Sequence, residues 1–311
     1  MKIAVVGAGL IGQAWAIVFA RSGHQVTLWD GHEEALTQAP VVIAKLVADL
    51  QAAGLVQDSA AVMSNITTNR TLADALDGAG YVQENLPERL EIKREIFARL
   101  DELADENIVL ASSTSSIPAS SFTESLAGRA RCVIAHPVNP PYLVPVVEIC
   151  GARWTHADTI QKTQDLMRQV GQAPVHIKKE LEGFVLNRLQ GALLREAFRL
   201  VEQGYVDVDD LDATIRDGLG LRWAFMGPFE TIDLNAPDGL GDYAQRYGPL
   251  YQSIATEQTD TSPWSDALIA QVDQARREKL PKEQLAERRL WRDRRLMDLA
   301  VQRLQQQAKE T

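Results

Sequence analysis

The sequence of 311 residues predicts an α/β fold, with a parallel-type sheet covered on both faces first and an all-α region after it. Three observations carry that reading. Short apolar runs alternate with helical periodicities up to about residue 180, and strand signals fade from Phe184 onward. The glycine-rich turn Gly7-Ala-Gly-Leu-Ile-Gly12 lies between the apolar run Lys2-Ile-Ala-Val-Val6 and a stretch of helical apolar spacing.

The first element is thus a strand ending at Val6, and Ile11, Trp15, Ile17 and Val18 mark the helix behind it. A second strand runs from Gln25 to Trp29, which completes a βαβ unit. Gly7 allows the tight turn, Gly9 lets the backbone approach a pyrophosphate, and Gly12 lets helix and sheet pack closely. Leu10 and Ile11 sit in the same turn and count with the cofactor-binding residues, at a helix N-terminus whose free N–H groups and dipole favour anions. Asp30, at the end of the second strand, is placed to accept hydrogen bonds from ribose hydroxyls and to repel a 2′-phosphate. No Arg or Lys follows in Gly31-His-Glu-Glu34 to welcome one, so NAD is favoured over NADP. The fold class is then a Rossmann-type dinucleotide-binding domain followed by an all-α C-terminal domain.

Further strands are expected at Tyr81–Glu84, Ile108–Ala111, Cys132–Ala135, Val144–Ile149 and Pro174–Ile177, with helices near 89–104 and 157–170. Phe184, Leu186, Leu189, Leu193, Leu194, Ala197 and Leu200 then repeat at helical spacing. The boundary is placed there, giving residues 1–183 to the nucleotide domain and 184–311 to a helical substrate and dimerisation domain. Pro40 is expected to interrupt the helix after the second strand, and the Gly- and Pro-bearing stretch 217–228 to form a functional loop.

A net charge of −10 with no long uncompensated basic block in the first 270 positions argues against nucleic-acid or anionic-membrane partners. Residues 3–20 carry no charge and imitate a signal peptide or membrane span, but three glycines, Gln13 and the dinucleotide spacing argue otherwise. Cys132 and Cys150 show neither metal-ligand spacing nor a disulfide framework, so no metal site and a reducing, cytoplasmic compartment are expected.

Chemistry concentrates between residues 112 and 150. Ser112-Ser-Thr-Ser-Ser116 places small hydroxyls at the carboxyl end of a strand, where open α/β sheets bind ligands. Ala135-His-Pro-Val-Asn-Pro-Pro141 puts His136 directly after another strand, backed by a Pro-rigidified turn. Glu148 lies in an apolar strand where an unpaired carboxylate is costly, so a partner such as His136 is expected. Two readings fit: a general base tuned by a buried carboxylate, or a satisfied structural histidine beside a glutamate that faces water.

The segments Gly7–Gly12, Ser112–Ser116, His136–Pro141, Glu148 and Gly183-Phe-Val-Leu-Asn-Arg-Leu189 together resemble the 3-hydroxyacyl-CoA dehydrogenase family. His136-Pro-Val-Asn-Pro-Pro-Tyr142, Gly218-Leu-Gly-Leu-Arg222, Gly227-Pro-Phe-Glu-Thr231, Leu234-Asn-Ala236 and Trp291-Arg-Asp293 look most like its lambda-crystallin branch, the L-gulonate 3-dehydrogenases. The resemblance implies a catalytic His136 with Glu148 as its orienting partner, Ser115 and Asn187 on the substrate oxygen, and Glu88 and Lys93 beside the nicotinamide half of NAD. Taken alone, Glu88 is equally a helix-start carboxylate and Lys93 a solvated helix residue. The sequence departs from the family where its middle Asn is replaced by Ser113, and at Pro40.

Residues 31–58 contain one base, Lys45, against Glu33, Glu34, Asp49 and Asp58, a poor setting for CoA phosphates. Arg222 is the candidate cation for a small free carboxylate. The branch resemblance therefore points to a small polar 3-hydroxy acid, L-gulonate first. L-carnitine stays open through a cation–π contact at Trp223, as does a short 3-hydroxyacyl-CoA. A non-enzymatic, crystallin-like structural protein is the remaining alternative, against which the intact Ser115, His136, Glu148 and Asn187 set argues. A homodimer is expected, because the family's helical domains pair. The Arg- and Gln-rich helix around Trp291, Leu296 and Leu299 reads as a solvated amphipathic helix or a subunit contact.

Overall fold

The computed structural model describes residues 1–310. The chain forms two compact units, residues 1–188 together with the chain from 289 onward, and residues 189–288.

In the first unit, β1 (Lys2–Val6), α1 (Leu10–Arg21), β2 (Gln25–Trp29) and α2 (Glu33–Ala52) are followed by α3 (Ser59–Ser64), β3 (Ile66–Thr68), α4 (Leu72–Leu76) and β4 (Ala79–Glu84). Then come α5 (Leu90–Leu103), β5 (Val109–Ser112), α6 (Ser120–Thr123), β6 (Cys132–Pro137), β7 (Val146–Gly151), α7 (Ala157–Gln169) and β8 (Ala173–Ile177). The strands form one sheet in the order β3-β2-β1-β4-β5-β6-β7-β8.

Alternation along β1 builds both layers of the core. Ile3 and Val5 join a cluster with Trp15 and Phe19 of α1 and Ile43 and Val47 of α2, while Ala4 and Val6 join Phe97 and Leu100 of α5 on the other face. Five features differ from the sequence expectation. β7 runs antiparallel to β6, because residues 138–145 are too few for the crossover helix a parallel return needs. The three-residue β3, paired with β2, carries too short a pattern to read from sequence.

Pro40 lies inside α2 rather than ending it. Burial of Leu36, Ala39, Ile43, Val47 and Leu50 along one stripe outweighs the single backbone hydrogen bond that a proline removes. The long terminal helix also behaves differently from the expected 184–311 grouping: the chain from 289 onward belongs to the first unit, where Met297 is buried in the Trp15 cluster.

The division between units falls within α8 (Phe184–Glu202). The second unit continues with α9 (Val208–Ala213), a π-helical turn at Thr214–Leu219, α10 (Gly220–Trp223), α11 (Pro228–Asp233), α12 (Gly239–Glu257) and α13 (Asp266–Lys279), and α14 (Leu285–Glu310) begins in it. The stretch 217–228, expected as a loop, is therefore mostly helical: Gly220 takes right-handed helical dihedrals, and Pro228 sits at the first position of α11, where its missing N–H costs nothing. Phe198 stacks on Trp264 at 4.3 Å, and Arg195 reaches the carbonyls of Asp260, Thr261 and Ser262, tying α8 to the segment before α13. No described helix is long and apolar enough to cross a membrane.

Candidate active site at the carboxyl edge of the sheet

The glycine turn leaves β1 with Gly7 at φ 98°, a conformation that only glycine adopts without strain. A Cβ on Gly12 would stand 1.8 Å from the Gly7 carbonyl oxygen, so α1 can start this close to the turn only without a side chain there. At Gly9 a Cβ would meet nothing within 4 Å; the backbone borders open space at the N-terminus of α1, the cradle a pyrophosphate requires. Leu10 is largely exposed beside it and Ile11 is partly buried. Asp30 braces the turn from β2, accepting from the Ala8 N–H at 2.8 Å through Oδ2 and from the His32 N–H at 2.9 Å through Oδ1.

Beside the turn, the hydroxyl loop 112–116 is held by two carboxylates. Glu84, fully buried at the end of β4, accepts from Ser112 Oγ at 2.6 Å and from the Leu86 N–H at 2.6 Å. Lys93 neutralises it, with Nζ 2.8 and 2.9 Å from the two carboxylate oxygens and 2.9 Å from the Leu86 carbonyl. All three ammonium donors of Lys93 are thus engaged in the interior, and the residue supports the loop from below rather than presenting its charge at the sheet edge. Glu88 grips the loop from outside: its Oε1 accepts from Thr114 Oγ1 at 2.6 Å, the Ser115 and Ser116 N–H groups at 2.9 Å each, Ser116 Oγ at 3.0 Å and Ser115 Oγ at 3.3 Å. Burial pushes the Glu88 carboxyl up, but the Thr114 and Ser116 bonds and the Lys93 charge outweigh it and hold the group below the usual carboxylate range.

His136 and Glu148 face each other as partners in the β6–β7 ladder, and His136 Nδ1 lies 2.8 Å from Glu148 Oε2. Both are buried, and Phe184, itself fully buried, lies 5.6 Å from the imidazole centroid. The other carboxylate oxygen of Glu148 accepts the Val185 and Leu186 N–H groups at 2.9 Å each, the free donors at the start of α8. Burial raises the Glu148 carboxyl, but the His136 bond and these two N–H groups overcome it, so its pKa falls below the ordinary value. Beside an ionised Glu148, the tautomer with the proton on Nδ1 is the one that completes this hydrogen bond, which leaves Nε2 as the acceptor nitrogen of the ring. The next residue of α8, Asn187, donates from Nδ2 to the Ser115 carbonyl at 2.8 Å. One helical turn thereby joins the histidine pair to the hydroxyl loop.

Residues 2–181 match the NAD-binding domain of 3-hydroxyacyl-CoA dehydrogenase and residues 183–279 its C-terminal domain. The chain belongs to the 3-hydroxyacyl-CoA dehydrogenase family. Lambda-crystallin of Oryctolagus cuniculus is 42% identical over 310 residues, which span 98% of this chain and 97% of that protein. An L-carnitine dehydrogenase of Streptomyces griseus is 36% identical over 275 residues, 88% of this chain and 79% of that protein. Among solved structures, 5-formyl-3-hydroxy-2-methylpyridine 4-carboxylic acid 5-dehydrogenase, described as an NAD+-dependent dismutase, superposes with a TM-score of 0.84 at 29% identity over 97% of each chain.

As a member of the 3-hydroxyacyl-CoA dehydrogenase family, the chain is an NAD-dependent oxidoreductase acting on CH–OH groups. Its glycine turn, open at Gly9 and closed at Gly12, fits that cofactor. Arg222 lies on α10 in the second unit, where it is exposed and close enough to Tyr243 to influence its hydroxyl. Sequence reasoning missed Glu84 and the Ser113 hub, whose Oγ accepts from Trp15 Nε1 at 2.9 Å and Gln83 Nε2 at 2.7 Å and donates to Asn85 Oδ1 at 2.7 Å. The available signal was the polar triplet Gln83-Glu84-Asn85 closing an apolar strand. Cys132 and Cys150 are buried, and burial pushes both thiols up to about 12, so neither supplies a thiolate nucleophile at neutral pH.

Proposed function

We propose that this dehydrogenase oxidises the 3-hydroxyl of a small polar 3-hydroxy acid, with L-gulonate, giving 3-dehydro-L-gulonate, as the leading substrate. The observation that carries the reading is the His136–Glu148 pair, with Nδ1 engaged at 2.8 Å. His136 Nε2 takes the hydroxyl proton, and Glu148 stabilises the imidazolium that forms. When bound, NAD accepts the hydride from the carbinol carbon. Ser115 presents its hydroxyl to the reacting oxygen. Asn187 spends one amide hydrogen on the Ser115 carbonyl and keeps the second for that oxygen. In the cofactor site, Gly7, Gly9, Leu10, Ile11 and Gly12 border the phosphates and Asp30 faces the adenosine ribose. Glu88 and Lys93 serve the nicotinamide side through the loop that they hold.

The preference for a small acid over a CoA ester rests on the base-poor segment 31–58, and Arg222 is the proposed carboxylate cation. A second reading, L-carnitine, is favoured by the Streptomyces relative and by the partly exposed Trp223, whose ring suits a trimethylammonium group. The working form is a cytoplasmic homodimer. Tyr205, Phe225 and Phe229 are each more than two-thirds exposed, apolar area of the kind that a second copy would cover.

Initial rates of NAD reduction with L-gulonate, L-carnitine and L-3-hydroxybutyryl-CoA, measured side by side, test the assignment. A higher kcat/KM for gulonate supports it. Preference for the CoA ester overturns the argument from residues 31–58, and preference for carnitine moves recognition to Trp223.

A further inference from the structure

No cation follows Asp30 in the chain as far as Glu34, but the fold brings one to it from the neighbouring strand. β2 and β3 run parallel with Leu28 opposite Thr68, and the Asn69 N–H donates to the Leu28 carbonyl at 2.9 Å, so the pairing carries past the end of β3. Two residues beyond the Leu28–Thr68 pair, Arg70 stands level with Asp30. The Trp29 indole ties its backbone down, donating from Nε1 to the Arg70 carbonyl at 3.3 Å. Both residues therefore leave the sheet at its carboxyl edge, next to the glycine turn that Asp30 braces.

The Arg70 guanidinium reaches the first turn of α2, where Nη2 lies 2.8 Å from Glu33 Oε1. The two side chains are 85% and 71% exposed, so water screens the pair and it adds little to stability. Its effect on the local charge is larger. An arginine fork matches a phosphate as well as it matches a carboxylate. Dinucleotide sites that accept a 2′-phosphate place an arginine near the position that Asp30 holds here. In this chain such an arginine is present and already neutralised.

We propose that the Glu33–Arg70 pair is a second determinant of cofactor choice, acting beside Asp30 at the adenosine end of the dinucleotide. It rests on the reading that Asp30 faces the ribose. Asp30 repels a 2′-phosphate directly. Glu33 acts twice, adding its own negative charge and occupying the guanidinium that otherwise binds the phosphate. NADP thus meets two carboxylates and an arginine already paired, whereas NAD, with a hydroxyl at that position, needs nothing from Arg70. Loss of the Glu33 charge frees the fork for the phosphate while Asp30 still braces the glycine turn.

Fluorescence titration of NADH and NADPH, without substrate, tests the proposal apart from turnover. The quantity read is the ratio of the NADPH to the NADH dissociation constant in the unaltered chain, Glu33→Gln, Arg70→Gln and the double variant. Both side chains are exposed, so the variants fold. Glu33→Gln is expected to lower the ratio about tenfold or more, the scale of one charge-assisted bidentate contact, with NADH affinity within about threefold of its original value. Adding Arg70→Gln should abolish most of that gain. The same series on Asp30→Ser, where NADPH meets one charge fewer, decides the matter if Asp30 keeps NADPH beyond the measurable range. An unchanged ratio on Glu33→Gln in both backgrounds overturns the proposal. So does a double variant that keeps the full gain, which would reduce Arg70 to a surface ion pair. Failure of the Asp30 reading shows separately, as an Asp30→Ser variant whose ratio matches that of the unaltered chain.

Discussion

Asn187 and Ser115, 72 positions apart in sequence, are joined by a hydrogen bond of 2.8 Å from the Asn187 amide to the Ser115 backbone carbonyl. The contact ties the first turn of α8 to the hydroxyl loop after β5. Because Leu186, one residue earlier, donates to Glu148, the same turn registers the loop against the histidine pair. Asn187→Ala is expected to lower kcat about tenfold to a hundredfold, the usual result of misplacing a reacting group by a fraction of an ångström. NADH affinity, read by fluorescence titration, should change little. A variant with normal kcat would remove Asn187 from the site.

His136→Ala is expected to reduce turnover by about a hundredfold to ten-thousandfold, the range contributed by a positioned general base. Cofactor binding should persist, since the glycine turn and Asp30 are held by contacts that do not involve the imidazole. Stopped-flow hydride transfer together with NADH titration separates the two.

Glu148 yields a pH prediction. Its carboxyl is held below the ordinary range, so its contribution to stability is present above the unfolded carboxylate value and is lost as pH falls through the lower folded value. Thermal melts of the unaltered chain and Glu148→Gln should differ at neutral pH and converge in acid. A difference that persists or grows on acidification contradicts the assignment.

His24 acts in a different window. Burial, followed by the nearby α-ammonium of Met1, lowers its pKa below 6.5. The folded state therefore resists a proton that the unfolded chain accepts, and stability falls as pH drops below about 6.5 toward the lower folded value. His24→Gln should flatten the melting-temperature profile between pH 7 and 5, roughly the span in which histidine titrates.

Asp30→Ser should narrow the preference for NAD over NADP by removing the charge that repels a 2′-phosphate. It also removes the Ala8 contact that braces the turn, so KM for NAD should rise as well. Unchanged selectivity would show that discrimination lies elsewhere.

Much of this architecture is legible in the sequence because its signals are local. The glycine turn sits between a strand and a helix with its spacing intact, and the burial of Glu148 in an apolar strand demanded a partner. What escaped depends on distant packing. Pro40 survives within a helix because five side chains of α2 are buried along one stripe, and β3 is a strand only because β2 lies beside it. Glu84 and Lys93 neutralise each other nine positions apart, and nothing in their immediate neighbours says that both point inward. Chain reversal between β6 and β7 was hidden in the same way, since short connections carry no apolar period.

That reversal has an evolutionary consequence. Since His136 and Glu148 are cross-strand neighbours in a ladder, their meeting is set by strand parity rather than by the connection between them. Changes within residues 138–145 leave the two side chains facing each other so long as the ladder does not slip. The geometry of the pair thus depends on strand register, and a lineage can alter the intervening connection without separating the imidazole from its carboxylate.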